Sequence, residues 1–281
     1  MTIALGLLFS AGVGVADFLG GWIARRAHAL TTVATAMIAS VLVMTGLLVA
    51  LAVADVVSSE AIGSDLLLGL LSGLMIGFGL AALYRGIAES SAAVVSPIAS
   101  ILAVLVPFGW DLATGGSLET LALVGGGVAL VGVGFTTFSP ELGERVRVGV
   151  MWGVLGGIGF GASLTFLGQT GEDAGLYPAV MQRATSLVAL VAATRLRGLP
   201  TVVPLDLRRA AIASGTLSAV AVAAFTVGAQ QGSLAEIAIT TALAPAVTAG
   251  LAAVFAGDPF RWWQMIGAGI CCAGVAMVGA A

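Results

Sequence analysis

The sequence predicts an all-α integral membrane protein with ten transmembrane helices, arranged as two inverted five-helix repeats. Three observations lead to this fold class: an apolar composition, ten apolar segments, and a self-alignment of the two halves. Of the 281 residues, 59% are hydrophobic and 9% are charged, whereas an average soluble domain carries about 25% charged residues. The mean hydropathy is +1.11. A chain of this composition is expected to have the lipid bilayer as its solvent.

Ten apolar segments each approach the roughly 20 residues that cross a hydrocarbon core about 30 Å thick. The polar connections between them are too short to hold a soluble domain, so we predict ten spans. Charged residues and Gly or Pro breaks place the spans at residues 3–24, 30–53, 66–87, 90–112, 119–138, 148–168, 176–194, 210–230, 234–256 and 262–280.

The basic residues lie on one predicted side of the membrane. All eleven are arginine, and ten of them follow segments 1, 3, 5, 7 and 9. The connections on the other side carry acidic residues and no basic one. Because basic residues are retained in the cytoplasm, we predict a multi-pass protein of the cytoplasmic (inner) cell membrane with both termini outside the cytoplasm.

The two halves of the chain align with each other. A shift of 142 positions pairs residues 72–133 with 214–275 without a gap, and twelve of the 62 pairs are identical. A weaker match pairs Phe18-Leu19-Gly20 with Phe166-Leu167-Gly168. We therefore predict repeats at residues 1–142 and 143–281. An odd number of spans in each repeat inverts the second copy, which is typical of secondary transporters.

Two ionisable residues lie well inside predicted spans, where a charge costs a few kcal/mol and therefore usually faces a cavity or a partner. Asp17 lies two-thirds along the first span and Arg183 near the middle of the seventh, next to Gln182. One interpretation is that Arg183 contacts an anionic group of a substrate while Asp17 binds a proton or a cationic group. The alternative is a structural ion pair, or an Asp17 side chain that reaches the interface.

Further polar residues lie near predicted helix ends, and the self-alignment places several of them at matching positions on opposite membrane faces. Such positions suit gates or a vestibule of a substrate or ion path, and interfacial solvation is the alternative. These residues are Tyr84, Glu89, Gln230 and Glu236. Prolines inside the fourth and ninth segments remove backbone hydrogen bonds and permit kinks, namely at Pro97, Pro107 and Pro245.

Enzymatic and nucleotide-driven functions are not supported by the residue inventory. The chain has no lysine, which a phosphate-binding loop of the Walker A type requires. One histidine, His28, and the adjacent Cys271 and Cys272 do not make a metal cluster, since a zinc site uses about four ligands. We expect no cofactor, no metal, no nucleic-acid partner and no catalytic residue.

The block GIAESSAAVVSPI at residues 86–98, with the counterpart APAVT at 244–248 followed by Gly257-Asp258, resembles the EamA-like branch of the drug/metabolite transporter (DMT) superfamily. The resemblance implies a basket-like bundle with a central cavity lined by helices 1, 3, 4, 6, 8 and 9. It implies a carrier, and exporters of amino acids, metabolites and drugs are well represented. Where the family often has Gly-Glu after helix 4, this chain has Gly115-Gly116.

The function expected from these observations is a secondary transporter, in the export direction, for a small metabolite or drug-like solute. Its partners are a small-molecule substrate and the lipid bilayer, and coupling to a proton or another ion through Asp17 remains open. The alternative is a non-transporting membrane scaffold or a lipid-translocase component.

Overall fold

The computed structural model describes residues 2–53, 61–90, 92–115, 120–137, 146–232, 237, 240–255 and 262–280. These residues are almost entirely helical, because only structures that satisfy their own backbone hydrogen bonds are stable in hydrocarbon. The helices are α1 (Thr2–Ala24), α2 (Ala29–Val53), α3 (Gly63–Glu89), α4 (Ala92–Ala113), α5 (Thr120–Thr137), α6 (Val146–Gly168), α7 (Tyr177–Leu196), α8 (Leu205–Gln230), α9 (Ala244–Phe255) and α10 (Trp262–Ala280), with 3-10 turns at Glu172–Ala174 and Thr241–Leu243.

Five of the described helices are long and apolar enough to cross a membrane, which makes the chain a multi-pass membrane protein. They are Thr2–Ala24, Ala29–Val53, Gly63–Ile87, Arg147–Gly168 and Leu205–Gln230, and two shorter apolar helices occur at Ile98–Ala113 and Leu123–Gly132. The all-helical class is confirmed over the described residues. The count of ten spans stays a prediction.

Large apolar side chains cover the outside of the bundle. Leu42 and Val188 are 69% and 70% exposed, and Leu67 is 55% exposed. A water-soluble monomer rarely exposes so much apolar surface in contiguous patches, whereas lipid tails solvate it without cost. The exposed side chains therefore agree with a bilayer environment.

The helices pack in pairs that join the two halves of the chain. α3 packs on α6 and α7, while α1 packs on α8 and α9. α2 contacts α7 and α8, α4 packs on α6, and α5 packs along α10. The largest apolar cluster includes Phe9, Met44, Leu167 and Phe225, so the core lies where α1, α2, α6 and α8 meet.

Small residues set the spacing of these pairs. A Cβ atom on Gly159 would lie 2.8 Å from Gly79 Cα, and one on Gly157 would lie 2.8 Å from the Ala99 carbonyl oxygen. Both distances are shorter than real Cβ contacts. The glycine ladder of α6 is therefore needed for its close approach to α3 and α4, as in other small-residue helix interfaces.

We expect Gly215→Ala to lower the free energy of unfolding by about 1–3 kcal/mol, the usual cost of overpacking. A Cβ at this position would overlap the carbonyl oxygen of Ala36, where α8 lies against α2. Gly46→Ala is the matched control, because nothing lies within 4 Å of its Cβ position. Thermal unfolding in detergent should show a lower midpoint for the first variant only; equal midpoints would contradict the close contact.

Candidate functional site

Arg183, in the first half of α7, is the least exposed charged side chain among the described residues, at 1%. Its Nη2–H donates to the Ser218 carbonyl oxygen on α8 at 3.1 Å, and its Nη1 lies 3.9 Å from Met37 Sδ on α2. Neither partner is charged, and Nε has no hydrogen-bond partner in the part of the chain that the structure describes. Since arginine keeps its proton in proteins, a positive charge lies in the core, and no carboxylate of the described residues forms an ion pair with it.

Gln182, next to Arg183, forms a buried polar network that joins α7 to α3 and α6. Its Nε2 donates to Ser72 Oγ at 2.8 Å and to Ser163 Oγ at 3.0 Å. The Ser72 hydroxyl donates in turn to the Ser163 carbonyl oxygen at 2.7 Å. The Gln182 Oε1 atom has no partner among the described residues. A network of this kind fixes the register of three helices, and the free oxygen remains able to accept a hydrogen bond.

Asp17 is half-buried on α1. Gly20 lies one turn later on the same face of α1. A Cβ atom at Gly20 would overlap the Tyr84 hydroxyl. Residues three apart on a helix lie on the same side, so the Asp17 carboxylate and the Tyr84 ring share one region between α1 and α3. Tyr84 is 4% exposed, so interfacial solvation does not account for it.

The two predicted intramembrane charges do not pair with each other. Among the described residues, Arg85 and Glu89 form an ion pair, and neither Asp17 nor Arg183 takes part in one. Asp17 therefore lies without a cationic partner, and Arg183 lies without an anionic one, in those ranges. The structural ion pair considered from the sequence is absent in those ranges.

Glu89 is the last residue of α3, and its side chain contacts α6. Arg85 Nε donates to Glu89 Oε1 at 2.7 Å, and Trp152 Nε1 donates to Glu89 Oε2 at 2.8 Å. The Arg85 guanidinium also lies 4.9 Å from the centroid of the Trp152 ring. The hydrogen bonds from Arg85 and Trp152 lower the pKa of Glu89 below its ordinary value. The carboxylate is 40% exposed, so solvent screens these contacts.

We expect Glu89→Gln to lower the free energy of unfolding at neutral pH by less than about 1 kcal/mol, as for other exposed pairs. A carboxyl whose folded pKa is depressed stabilises the fold above its unfolded pKa, and this contribution disappears as the pH falls through the folded pKa. Unfolding midpoints of the two proteins should therefore differ at neutral pH and converge in acid. A constant difference at all pH values would contradict this explanation.

Gln230 lies at the opposite end of the bundle from Glu89. Its Nε2 donates to Thr170 Oγ1 at 3.2 Å and to the Gly175 carbonyl oxygen at 3.0 Å. It is 7% exposed, so it joins the end of α8 to the connection between α6 and α7, and is not solvated at an interface. Glu236 lies outside the described residues.

The predicted kink prolines occupy different helical positions. Pro97 and Pro107 lie within the unbroken α4, and Pro107 is buried. Pro245 lies in the first turn of α9, directly after the 3-10 turn, where a missing N–H costs no helical hydrogen bond. The 3-10 turn interrupts the predicted ninth segment, so any bending there begins at Thr241–Leu243 and does not require Pro245.

Sequence reasoning missed the serines. Among the described residues, four buried side-chain atoms have no hydrogen-bond partner: Ser40 Oγ, Gln182 Oε1, Arg183 Nε and Ser186 Oγ. Serine is common in packed membrane helices, so composition gave no reason to single out Ser40 or Ser186. Their burial, 1% and 0% exposed, becomes visible only once α2 and α7 are packed together. No group of three or more metal-ligating side chains occurs in the ranges that the structure describes.

The helical fold, with long apolar helices and large apolar side chains on its outside, defines a multi-pass membrane protein. Residues 147–280 match the model of the EamA-like transporter family. That family is part of the DMT superfamily. The resemblance inferred from the sequence is confirmed over this half.

A solved structure shares the fold over nearly the whole chain. Twenty-eight chains match, and one of them, described only as the crystal structure of a protein, has a TM-score of 0.73 and 12% sequence identity. The match covers 98% of this chain and 94% of that chain. At such low identity the similarity shows only that the two chains share a fold. No curated protein matches the sequence.

Proposed function

We propose that the protein is a secondary transporter that moves a small metabolite or drug-like solute across the cytoplasmic membrane by alternating access. The observation that carries this proposal is the unpaired Arg183 charge, buried inside a DMT-type membrane fold. A buried charge without a partner destabilises a protein by several kcal/mol. An ionisable residue inside the membrane therefore usually has a functional role. The family resemblance supports the export direction as part of this proposal.

Alternating access requires two repeats that can exchange conformations, and matching contacts support this arrangement. Ser72 and Ser214 are paired by the self-alignment. Ser72 donates to the Ser163 carbonyl oxygen on α6, and Ser214 donates to the Ala16 carbonyl oxygen on α1. The α3–α6 pair and the α8–α1 pair are therefore each joined by the serine at the same position of the repeat.

Aligned glycines support the same arrangement. A Cβ on Gly86 would contact Val95 on α4 at 2.9 Å, and one on its counterpart Gly228 would contact Ile237. Val95 and Ile237 are themselves separated by the repeat shift of 142 positions. Equivalent residues therefore make equivalent contacts in the two halves, which is what two copies of one unit require.

The helix directions agree with an inverted second copy. α3 runs parallel to α7, because Gly69 and Gly77 contact Pro178 and Ser186 in that order. α2 runs antiparallel to α7 and parallel to α8, since its first residues lie near the end of α7 and the start of α8. α3 and α8 therefore point in opposite directions.

Each candidate residue has a role in this proposal. Asp17 binds a proton or a cationic group, with Tyr84 beside it, and Arg183 neutralises a negative charge. Bending at the proline-containing helices α4 and α9 accompanies the exchange of conformations. Four further residues contribute to the path or to its ends: Gln182, Glu89, Gln230 and Glu236. By the arginine distribution, the Glu89 end of the bundle faces the cytoplasm and both chain termini lie outside it.

Reconstitution into proteoliposomes tests this function. Purified protein should accumulate or exchange at least one radiolabelled solute from a panel of amino acids, other organic acids, nucleosides and cationic drugs, and an imposed proton gradient should alter the rate. A parallel assay with a fluorescent phospholipid measures lipid scrambling. Lipid movement without solute flux would favour a lipid-translocase component. No flux of any kind, with or without a gradient, would favour a scaffold and contradict the proposal.

A further inference from the structure

The α1–α2 and α7–α8 connections lie at the same end of the bundle. Ser214 on α8 donates to the Ala16 carbonyl oxygen on α1. Gly12, one turn earlier in α1, lies against Ala221, which comes later in α8, so the two helices run antiparallel. The end of α1 therefore lies beside the start of α8, where the α7–α8 connection ends.

A buried apolar cluster joins the two connections. It contains Ile23 near the end of α1, Val203 in the α7–α8 connection and Leu207 in the first turn of α8. The Thr31 hydroxyl at the start of α2 donates to the Pro200 carbonyl oxygen at 2.7 Å. The α7–α8 connection is thus held against α1 and α2, and the charged residues that flank the cluster lie at one end of the bundle.

Six exposed arginines flank this cluster along the chain. They follow α1, end α7 and begin α8, and are Arg25, Arg26, Arg195, Arg197, Arg208 and Arg209. None of the six takes part in an ion pair among the described residues. Residues 24–28 and 195–209, which the structure describes in full, contain one carboxylate, Asp206. We call these six arginines the arginine surface, and its charge is strongly positive.

Two of the guanidinium groups are positioned by hydrogen bonds to backbone carbonyls. Arg26 Nη1 donates to the Trp22 carbonyl oxygen at 3.1 Å, and Arg208 Nε donates to the Val203 carbonyl oxygen at 3.2 Å. The Arg26 guanidinium also lies 3.9 Å from the centroid of the Trp22 ring. Arginine has five N–H donors in a fork that matches the oxygens of a phosphate, so one such bond leaves donors for a headgroup.

Large apolar side chains lie beside the arginines. Leu196, the last residue of α7, is 88% exposed, and Leu205, the first residue of α8, is 76% exposed. α7 has 20 residues, so it extends about 30 Å, the thickness of a hydrocarbon core. Its end therefore reaches the level where acyl chains meet headgroups. Cations with apolar side chains beside them fit a lipid, whereas a soluble polyanion would use the cations alone.

The other end of α7 carries the opposite charge. The α6–α7 connection exposes Glu172 and Asp173, and residues 169–176 contain no arginine. The positive charge is therefore confined to one end of the bundle, which contacts one leaflet of the bilayer.

We propose that the arginine surface binds the headgroups of anionic phospholipids, with Leu196 and Leu205 in contact with the adjoining acyl chains. Basic residues also set orientation during insertion, but that effect needs no lipid bound to the folded protein. The proposal goes beyond the proposed function, because binding requires neither a solute nor a change of conformation. A failure of lipid binding and a failure of transport are therefore separate results.

Native mass spectrometry of the detergent-solubilised protein, mixed with equal amounts of phosphatidylglycerol and phosphatidylcholine of the same chain length, tests the proposal. Phosphatidylglycerol should be retained at least about fivefold more often, the factor expected from one arginine near an anionic membrane surface. Higher ionic strength should reduce this preference by screening. Equal retention of the two lipids would contradict the proposal. A short single-stranded DNA is added as a soluble polyanion: if it displaces phosphatidylglycerol, the surface is a general polyanion site and the lipid assignment is wrong.

Variants locate the binding. Because six charges act together, one substitution should change little, so the first variant combines Arg25→Gln, Arg26→Gln, Arg195→Gln and Arg197→Gln. It should lose the preference for phosphatidylglycerol and keep the helical circular dichroism spectrum. The matched control has the same change in net charge outside the arginine surface and combines Arg85→Gln, Arg145→Gln, Arg147→Gln and Arg261→Gln. It should retain the preference. Loss of the preference in the control, or its persistence in the first variant, would overturn the assignment.

The apolar contacts are tested by Leu196→Gln combined with Leu205→Gln. This variant keeps every arginine but removes apolar contact with the acyl chains, so retention of both lipids should fall at least about twofold. The ratio between the two lipids should stay as in the wild type. Unchanged retention would show that the two leucines do not contact lipid, and this part of the proposal would be wrong.

Discussion

Asp17→Asn is expected to reduce solute flux at least about tenfold and to flatten its dependence on pH, because an intramembrane carboxylate facing no partner is usually functional. The amide keeps the size and polarity of the side chain but neither ionises nor attracts a cation. Asp17 has no cationic partner among the described residues, so the fold loses no ion pair with them. Stability should therefore change little while transport falls.

The matched control for this variant is Asp206→Asn, an exposed carboxylate in the first turn of α8. It should leave flux and its pH profile as in the wild type. Initial rates in proteoliposomes over a range of external pH provide the measurement. If Asp17→Asn retained both the rate and its pH dependence, the assignment of Asp17 to the path would be wrong.

Arg183→Met should separate stability from function. The variant should unfold with a free energy higher by roughly 1–4 kcal/mol, by analogy with buried ion pairs that are replaced by well-packed apolar residues. Flux should fall at least about tenfold, because the positive charge that binds the anionic group is gone. Arg183→Lys should retain part of the flux, since lysine keeps the positive charge but lacks the planar guanidinium group.

The control here is Arg209→Met, which removes an exposed arginine of α8 and should change neither quantity beyond the small effect of a surface substitution. Chemical or thermal unfolding and proteoliposome flux are measured on the same preparations. A less stable Arg183→Met that still transports at the wild-type rate would identify Arg183 as a structural residue.

Helix positions could be predicted from the sequence because apolar length and charged boundaries are local properties. The predicted segment 30–53 and the observed helix Ala29–Val53 differ by one residue. The ninth segment was harder, since the 3-10 turn at Thr241–Leu243 lies in a stretch of Thr, Ala and Leu that carries no charge. Hydropathy does not distinguish a 3-10 turn from an α-helix in such a stretch.

The candidate site was only partly predictable. Burial of Arg183 and Asp17 followed from the cost of a charge in hydrocarbon, but which neighbour each would face depends on helix packing. Arg183 contacts Met37 on α2 and Ser218 on α8, and this could not be derived from spacing along α7. The network of Gln182 with Ser72 and Ser163 forms only when α3, α6 and α7 are packed together. The one signal available for it was the Ser72/Ser214 match between the repeats.

The inverted relation of the two repeats is the central claim, and labelling from each side of the membrane tests it most directly. Cys271 and Cys272 are first replaced by alanine. Glu89→Cys and Gln231→Cys then introduce single thiols at repeat-equivalent, exposed positions, which are reacted with an impermeant maleimide on cells and on inverted vesicles. We expect Glu89→Cys to label only from the cytoplasmic side and Gln231→Cys only from outside. Labelling of both from the same side would contradict the inverted repeat.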